Sequence, residues 1–158
     1  MTVSRLIGLT LILMTGFAAG CTTDAMKDTS TPTRDMSTST PTLYQRLGEK
    51  PAIIAVVDDF VGRVAADNRI NGKFANANIP RLKINLVDQI CSASGGPCTY
   101  TGRDMKTTHA GMGITNAEFD ALVGDLVAAL NKFKVGEREK NELLSVLGPM
   151  RKDIVERP

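Results

Sequence analysis

Apolar residues recur with helical spacing through most of the chain, and this repeat limits the fold more than any other feature. It is clearest after Pro51, where apolar residues stand three, four and seven positions apart, the spacing of one buried helix face. They are Ile53, Val56, Val57, Phe60, Val61 and Val64. No stretch alternates with the period of two that is typical of a strand. The sequence therefore predicts an all-α domain.

Three further helices are predicted from the same spacing and from their end signals. One opens at Asn78-Ile79-Pro80 and stops at Ser94, and one starts at the capping box of Thr115 and Glu118. A last helix over about 137–155 should kink at Gly148-Pro149. The side chains expected to face inward are Leu82, Leu86, Gln89, Ile90, Phe119, Leu122, Val123, Leu126, Leu130, Phe133, Leu143, Leu144, Leu147, Met150 and Ile154. Short connecting helices are expected over 43–48, 70–75 and 103–109.

Residues 1–20 have the pattern of a signal peptide. Arg5 is their only charged side chain, and the apolar run 6–17 has the length of a signal-peptide core rather than of a bilayer span. The run leads into Ala18-Ala19-Gly20-Cys21, which resembles the lipobox of bacterial lipoproteins. That resemblance implies cleavage before Cys21 and lipidation of its thiol. The alternative is an ordinary secretory peptide in which Cys21 is incidental.

Residues 21–42 follow as a stretch rich in Thr, Ser, Asp and Pro, which predicts a disordered tether with a reach of roughly 25 Å. The folded domain is expected over 43–155. The lipoprotein resemblance implies a domain in the cell envelope that meets the membrane only through its lipid anchor. In a Gram-negative cell, Thr22 after the cysteine favours the outer membrane, facing the periplasm.

Cys91 and Cys98 are the two remaining cysteines, and a secreted domain would meet an oxidising compartment. A disulfide between them is therefore predicted. The pair is not part of a Cys-x-x-Cys-His motif, so covalent haem attachment is not indicated. A role as metal ligands stays open as the alternative.

Charge and aromatic content exclude several classes of partner. The 19 basic residues nearly balance the 17 acidic ones, which gives no sign of nucleic-acid binding. The single histidine, His109, cannot form a catalytic triad or a two-histidine zinc site. One imidazole does suffice as the protein ligand of a haem iron.

Several segments together resemble a group 1 truncated haemoglobin, over about 43–155. They are Leu43-Tyr44-Gln45-Arg46-Leu47-Gly48, Val57-Asp58-Asp59-Phe60, Phe74-Ala75-Asn76, Pro80-Arg81-Leu82-Lys83, Gly95-Gly96-Pro97, Tyr100-Thr101-Gly102 and the residues 105–115 around His109. The resemblance implies a two-over-two helical sandwich around one haem b. A departure is Gly48-Glu49, where relatives commonly have two glycines.

The same resemblance implies roles for individual residues. His109 matches the proximal iron ligand, and a backbone carbonyl near Met105 is expected to accept from its second ring nitrogen. Phe74 falls on the phenylalanine that packs flat on the porphyrin. Further apolar haem contacts are expected from Phe60, Met105, Ile114 and Phe119, all of which would also suit an ordinary core. Candidates for the haem propionates are Arg81, Tyr100 and Arg103, with a solvated surface position as the alternative for the two arginines.

The ligand side departs from the family pattern. Many members have a tyrosine where this chain has Val61, and Leu82 and Leu86 on the same side are also apolar. Gln89 is the one amide expected near the ligand. A hydrogen-bond donor at this place stabilises bound O2 by about 1–3 kcal/mol, so the chain is expected to retain O2 less well.

The leading hypothesis for function is a haem protein that binds O2, NO or CO, with oxygen transport as a possible use. An NO-detoxifying or peroxidase-like enzyme is the second hypothesis, and either would need a reductase that the sequence does not identify. A Cu(I) protein using Met105, His109 and Met112 on one helix face is the third, although Gly111 and Gly113 are expected to end that helix first. A structural lipoprotein domain without a cofactor is the last.

Overall fold

The computed structural model describes residues 40–158, and its regular structure is helical. The α-helices are α1 (Leu43–Arg46), α2 (Glu49–Ala66), α3 (Ile79–Ala93), α4 (Met105–His109), α5 (Asn116–Lys132), α6 (Glu137–Leu147) and α7 (Arg151–Ile154). The 3-10 turns are Asn71–Phe74 and Gly148–Met150. Residues 40–158 contain no β-strand, only an isolated bridge between Thr115 and Arg157. The predicted all-α class is therefore confirmed.

The predictions for the N-terminal region fall on residues that the structure does not describe. They are the signal peptide over 1–20, lipidation of Cys21, and the tether as far as residue 39. In the part of the chain that is described, no helix is both long enough and apolar enough to cross a bilayer.

The helix ends follow from the side chains that cap them. Thr115 accepts a hydrogen bond from the backbone N–H of Glu118, whose carboxylate accepts one from the backbone N–H of Thr115, so the predicted capping box is formed. Asn78 caps α3 by accepting from the backbone N–H of Arg81 at 3.0 Å. The predicted kink near Pro149 is present as the 3-10 turn between α6 and α7.

Helix α2 lies at the centre of the fold and packs against α3 and α5. Its six predicted inward residues are all buried, as the helical spacing requires. The largest fully buried side chains are Val57, Cys91, Leu130 and Leu143, contributed by α2, α3, α5 and α6 in turn. A second cluster, built on Ile114, Phe119 and Ile154, joins the start of α5 to α7.

Phe133 was predicted from the helical spacing to face inward, and this prediction was wrong: its side chain is 41% exposed. Helix α5 ends at Lys132, and the backbone at Phe133 has left helical geometry (φ −87°, ψ 9°). The projection of the helical face therefore no longer applies there. The ammonium of Lys132 lies 5.7 Å from the centroid of the exposed ring.

The predicted disulfide is present between Cys91 and Cys98, whose Cα atoms are 5.7 Å apart. Cys91 is in the last turn of α3 and fully buried, whereas Cys98 lies in the irregular segment that follows. The bond therefore fastens the start of the connection between α3 and α4 to the core.

Candidate functional site

A cavity of about 400 Å³ opens beside the 3-10 turn Asn71–Phe74, α4 and the first turns of α5. Most of its wall is apolar and comes from Ile70, Phe74, Ala77, Leu82, Met112, Ile114, Phe119, Leu122 and Ile154. The polar members of the wall are Lys73, Asn76, Arg103, Thr108, His109 and Glu118. The space is within the size range of protein sites for small organic molecules.

Two smaller cavities adjoin the main one. The first, of about 110 Å³, lies beneath α2 and α3, and the second, of about 140 Å³, extends inward beside α5 and the 3-10 turn at 148–150. His109 and Leu122 line all three cavities. The imidazole therefore stands at the point where the three spaces meet.

Local structure fixes the orientation of His109. Asp104 caps the start of α4: its carboxylate accepts from the backbone N–H of Thr107 at 2.8 Å, and hydrogen bonding to Thr107 lowers the pKa of Asp104. Nδ1 of His109 lies 2.7 Å from the carbonyl oxygen of Met105. A carbonyl only accepts, so in the neutral imidazole Nδ1 carries the ring proton and Nε2 keeps its lone pair. The predicted acceptor is thus in place, and Nε2 is the nitrogen available to a metal.

The predicted apolar contacts all lie on the walls of these cavities. Phe74 and Ile114 line the main cavity, Phe60 lines both smaller ones, and Met105 lines the inner one. Phe119 lines both the main and the inner cavity. The structure therefore brings together around His109 all five side chains that the resemblance marks as haem contacts.

The three candidates for carboxylate binding are separated. Both arginines are exposed, but Arg103 lines the main cavity, whereas Arg81, on α3, is not among the residues of the cavity wall. The hydroxyl of Tyr100 donates to the carbonyl of Arg103 at 2.8 Å, and burial followed by the nearby charge of Asp104 raises the pKa of Tyr100. Tyr100 thus supports the backbone at Arg103 and lies outside the cavity wall.

Lys73 is a cation of the cavity wall that sequence reasoning missed. Its ammonium donates to the carbonyl of Met112 at 2.8 Å and lies 3.4 Å from the carboxylate of Glu118. Both partners are about forty residues away along the chain, so no local pattern marks the contact. Its position directly before Phe74 was the available signal.

The ligand side predicted from the resemblance is apolar in the structure. The cavity of about 110 Å³ is lined by Val61, Leu82 and Leu86, and His109 is the one polar side chain on its wall. Gln89 lines the inner cavity instead. Its amide nitrogen lies 3.5 Å from the sulfur of Met105 and 3.3 Å from that of Met150.

Met105, His109 and Met112 do not share one helix face. Helix α4 ends at His109, and Gly111 adopts a left-handed conformation (φ +80°), as the two glycines predicted. Among the described residues, no three His, Cys, Asp or Glu side chains come together in a way that would hold a metal ion.

The residues of the site fit haem b. The macrocycle needs an apolar slot, the iron needs one nitrogen with a free lone pair, and the propionates need cations at the rim. Phe74, Phe119 and Leu122 supply the slot, Nε2 of His109 the nitrogen, and Lys73 and Arg103 the cations. When bound, haem would supply an iron atom that binds a diatomic gas.

Comparisons with known proteins point to the same cofactor. A family model described as "Bacterial-like globin" matches residues 42–156. The chain is 38% identical over 112 residues to a group 1 truncated haemoglobin of Mycolicibacterium paratuberculosis, covering 71% of this chain and 82% of that protein. It is 34% identical to a group 1 truncated haemoglobin of Tetrahymena thermophila, covering 72% of this chain and 93% of the relative.

Solved structures agree with the sequence comparisons. The crystal structure of the truncated haemoglobin of Tetrahymena pyriformis in its Fe(III) form superimposes with a TM-score of 0.70 at 33% identity, covering 73% of this chain and 98% of that one. The 2/2 haemoglobin of a Synechococcus species superimposes with a TM-score of 0.69 at 31% identity, covering 74% and 100%. The predicted two-over-two truncated globin fold is thereby confirmed. The chain belongs to the bacterial-like globin family, is related to the group 1 truncated haemoglobins, and is a haem protein that binds diatomic ligands.

Proposed function

We propose that this globin binds its gas through an iron held by His109, in a ligand pocket without a hydrogen-bond donor, so that O2 exchanges rapidly. The wall of the 110 Å³ cavity supports this proposal, because Val61, Leu82 and Leu86 offer no N–H or O–H group there. A donor would stabilise bound O2, which carries partial negative charge, by about 1–3 kcal/mol. Rapid exchange suits a protein that carries or delivers O2.

An NO-detoxifying or peroxidase-like activity has less support from the same wall. Peroxidase chemistry uses a titrating side chain on the ligand side, and Gln89 does not titrate. In the inner cavity, its amide faces the sulfurs of Met105 and Met150. We therefore assign the chain to ligand binding, with an external reductase keeping the iron ferrous.

A matched pair of substitutions at Val61 tests the proposal. Val61→Tyr introduces a phenol at the wall of the ligand cavity, and Val61→Phe adds almost the same volume without the hydroxyl. Stopped-flow measurement should give an O2 dissociation rate that is about 5–150 times slower for Val61→Tyr than for Val61→Phe. Equal rates in the two variants would refute the apolar-pocket proposal, and absorption spectra of the ferric, ferrous and CO-treated proteins would report haem binding separately.

We further propose that the domain is a lipoprotein of the cell envelope, at the outer membrane if the cell is Gram-negative. The support is the sequence Ala18-Ala19-Gly20-Cys21 after an apolar run, followed by a Thr- and Ser-rich stretch. Metabolic labelling with palmitate should mark the full chain and leave Cys21→Ser unlabelled. Equal labelling of both chains, or of neither, would overturn this assignment.

A further inference from the structure

The loop over 110–115 directly follows His109 and connects α4 to α5. Gly111 and Gly113 both have positive φ, at +80° and +60°, a conformation that strains residues with a side chain. This backbone allows the N–H groups of the two glycines to reach the same acceptor group. The conformation of the loop therefore depends on the group that accepts hydrogen bonds from these two N–H groups.

The carboxylate of Glu156 satisfies both. One of its oxygens accepts from the backbone N–H of Gly111 at 2.7 Å, and the other accepts from that of Gly113 at 2.5 Å. These two hydrogen bonds hold the pKa of Glu156 below its ordinary value. The C-terminal segment therefore binds the loop through a charged two-point contact.

Backbone contacts extend this attachment along the C-terminal segment. The N–H groups of Glu156 and Arg157 lie 2.9 and 3.0 Å from the carbonyl oxygen of Ile114. The guanidinium of Arg157 lies so close to Gly113 that a Cβ atom there would be 3.3 Å from it. Ile154, two residues before Glu156, is part of the wall of the main cavity.

Lys73 holds the same loop through its carbonyl groups. Its ammonium donates to the carbonyl oxygens of Met112 at 2.8 Å and of Gly113 at 3.4 Å. The loop is thus held by an anion at its N–H groups and by a cation at its carbonyl oxygens. Lys73 also adjoins Phe74, so this contact ties the loop to another wall of the cavity.

We propose that Glu156 is a positioning residue for His109. Its carboxylate fixes the loop at Gly111 and Gly113, and through the loop it sets the position of the imidazole relative to the iron. The inference rests on the proposed role of His109 as the iron ligand. Loss of the carboxylate should let the imidazole shift and so weaken the iron–histidine bond, although the His109 side chain is still present.

The test compares Glu156→Ala and Glu156→Gln with Asp153→Ala in the haem-loaded chain. Asp153 has the same charge on the same segment, and no hydrogen bond among the described residues joins its side chain to the loop. Transfer of haem to an excess of apomyoglobin should be roughly tenfold faster for Glu156→Ala than for the wild type, by analogy with the loss of groups that orient metal ligands. Asp153→Ala should match the wild type, and Glu156→Gln should lie between the two.

Two further measurements separate positioning from general stability. The iron–histidine stretching frequency in the ferrous protein should be lower in Glu156→Ala than in the wild type. In the haem-free chain, Glu156→Ala should speed amide exchange at Gly111 and Gly113 more than in α2. An unchanged frequency, or haem loss equal to that of Asp153→Ala, would overturn the proposal. A His109→Ala variant separates the role of His109 as iron ligand from the positioning role of Glu156. If His109→Ala keeps the wild-type absorption spectrum, the assignment of His109 as the iron ligand is wrong. If His109→Ala loses that spectrum but Glu156→Ala behaves like the wild type, only the positioning role of Glu156 is refuted.

Discussion

Nδ1 of His109 lies 2.7 Å from the carbonyl oxygen of Met105, one helical turn earlier in α4. The contact determines which ring nitrogen carries the proton, and it leaves Nε2 with the lone pair that a metal requires. Met105 also lines the inner cavity with its side chain. One residue therefore both orients the imidazole and forms part of the wall beside it.

The first prediction concerns the imidazole itself. His109→Gly removes the ring at the point where the three cavities meet, and haem retention should fall at least about a hundredfold, since the iron loses its nitrogen ligand. Imidazole added to the solution should restore the absorption spectrum of the ferrous CO form, because it can occupy the space that the ring has left. The exposed residue Lys106 on the same helix provides a control, and Lys106→Ala should keep the wild-type spectrum.

The second prediction distinguishes the two arginines that the resemblance placed near the propionates. Both side chains are exposed, but Arg103 lines the main cavity and Arg81 does not. Arg103→Ala should speed haem loss by about two- to fivefold, the size expected for a partly exposed ion pair. Arg81→Ala should leave the rate unchanged. Equal effects of the two substitutions would show that the cavity wall does not determine which arginine binds the carboxylates.

Much of the fold was predictable because it depends on local signals. The apolar spacing of α2, the capping box of Thr115 and Glu118, and the break before Pro149 are each determined within a few residues of the chain. Cys91 and Cys98 are the two cysteines left once Cys21 is set aside, so their pairing could be predicted without knowing the fold. The prediction that Phe133 faces inward was wrong because the helical spacing applies only as far as the helix continues, and α5 ends at Lys132.

The contacts that complete the site were not predictable in the same way. Lys73 reaches Met112, and Glu156 reaches Gly111, across about forty residues, and nothing in either local sequence marks the partner. Gln89 was expected near the ligand from its place one turn beyond Leu86. The structure puts its amide beside Met105 and Met150, whose positions depend on how α4 and the turn at 148–150 pack.

The third prediction concerns the disulfide. Replacing Cys91 and Cys98 together by alanine should lower the free energy of unfolding by about 2–3 kcal/mol, because the unfolded chain gains freedom when the short loop opens. Urea titration followed by circular dichroism measures this difference. Reduction of the wild-type chain should reproduce most of the loss, and a smaller effect of reduction would mean that the alanine side chains themselves pack poorly beside the buried position of Cys91.

The last prediction concerns Asp125 in α5, whose Oδ2 atom is buried and has no hydrogen-bond partner among the described residues. Burial, and then repulsion from Asp67, raise the pKa of Asp125 above its ordinary value, against the opposing charges of Arg69 and Arg63. The folded state therefore binds this proton more tightly than the unfolded state does, so ionised Asp125 weakens the fold at neutral pH.

Asp125→Asn removes that charge and should raise the free energy of unfolding at pH 7 by about 0.5–1 kcal/mol. The advantage should shrink as the pH falls through the raised pKa towards the ordinary aspartate value, where the wild-type carboxyl becomes neutral as well. Urea titrations of the two proteins at pH 7, 5.5 and 4 measure the difference, with Asp153→Asn as the matched control. An advantage that stays constant over this pH range would show that the charge of Asp125 is not its cause.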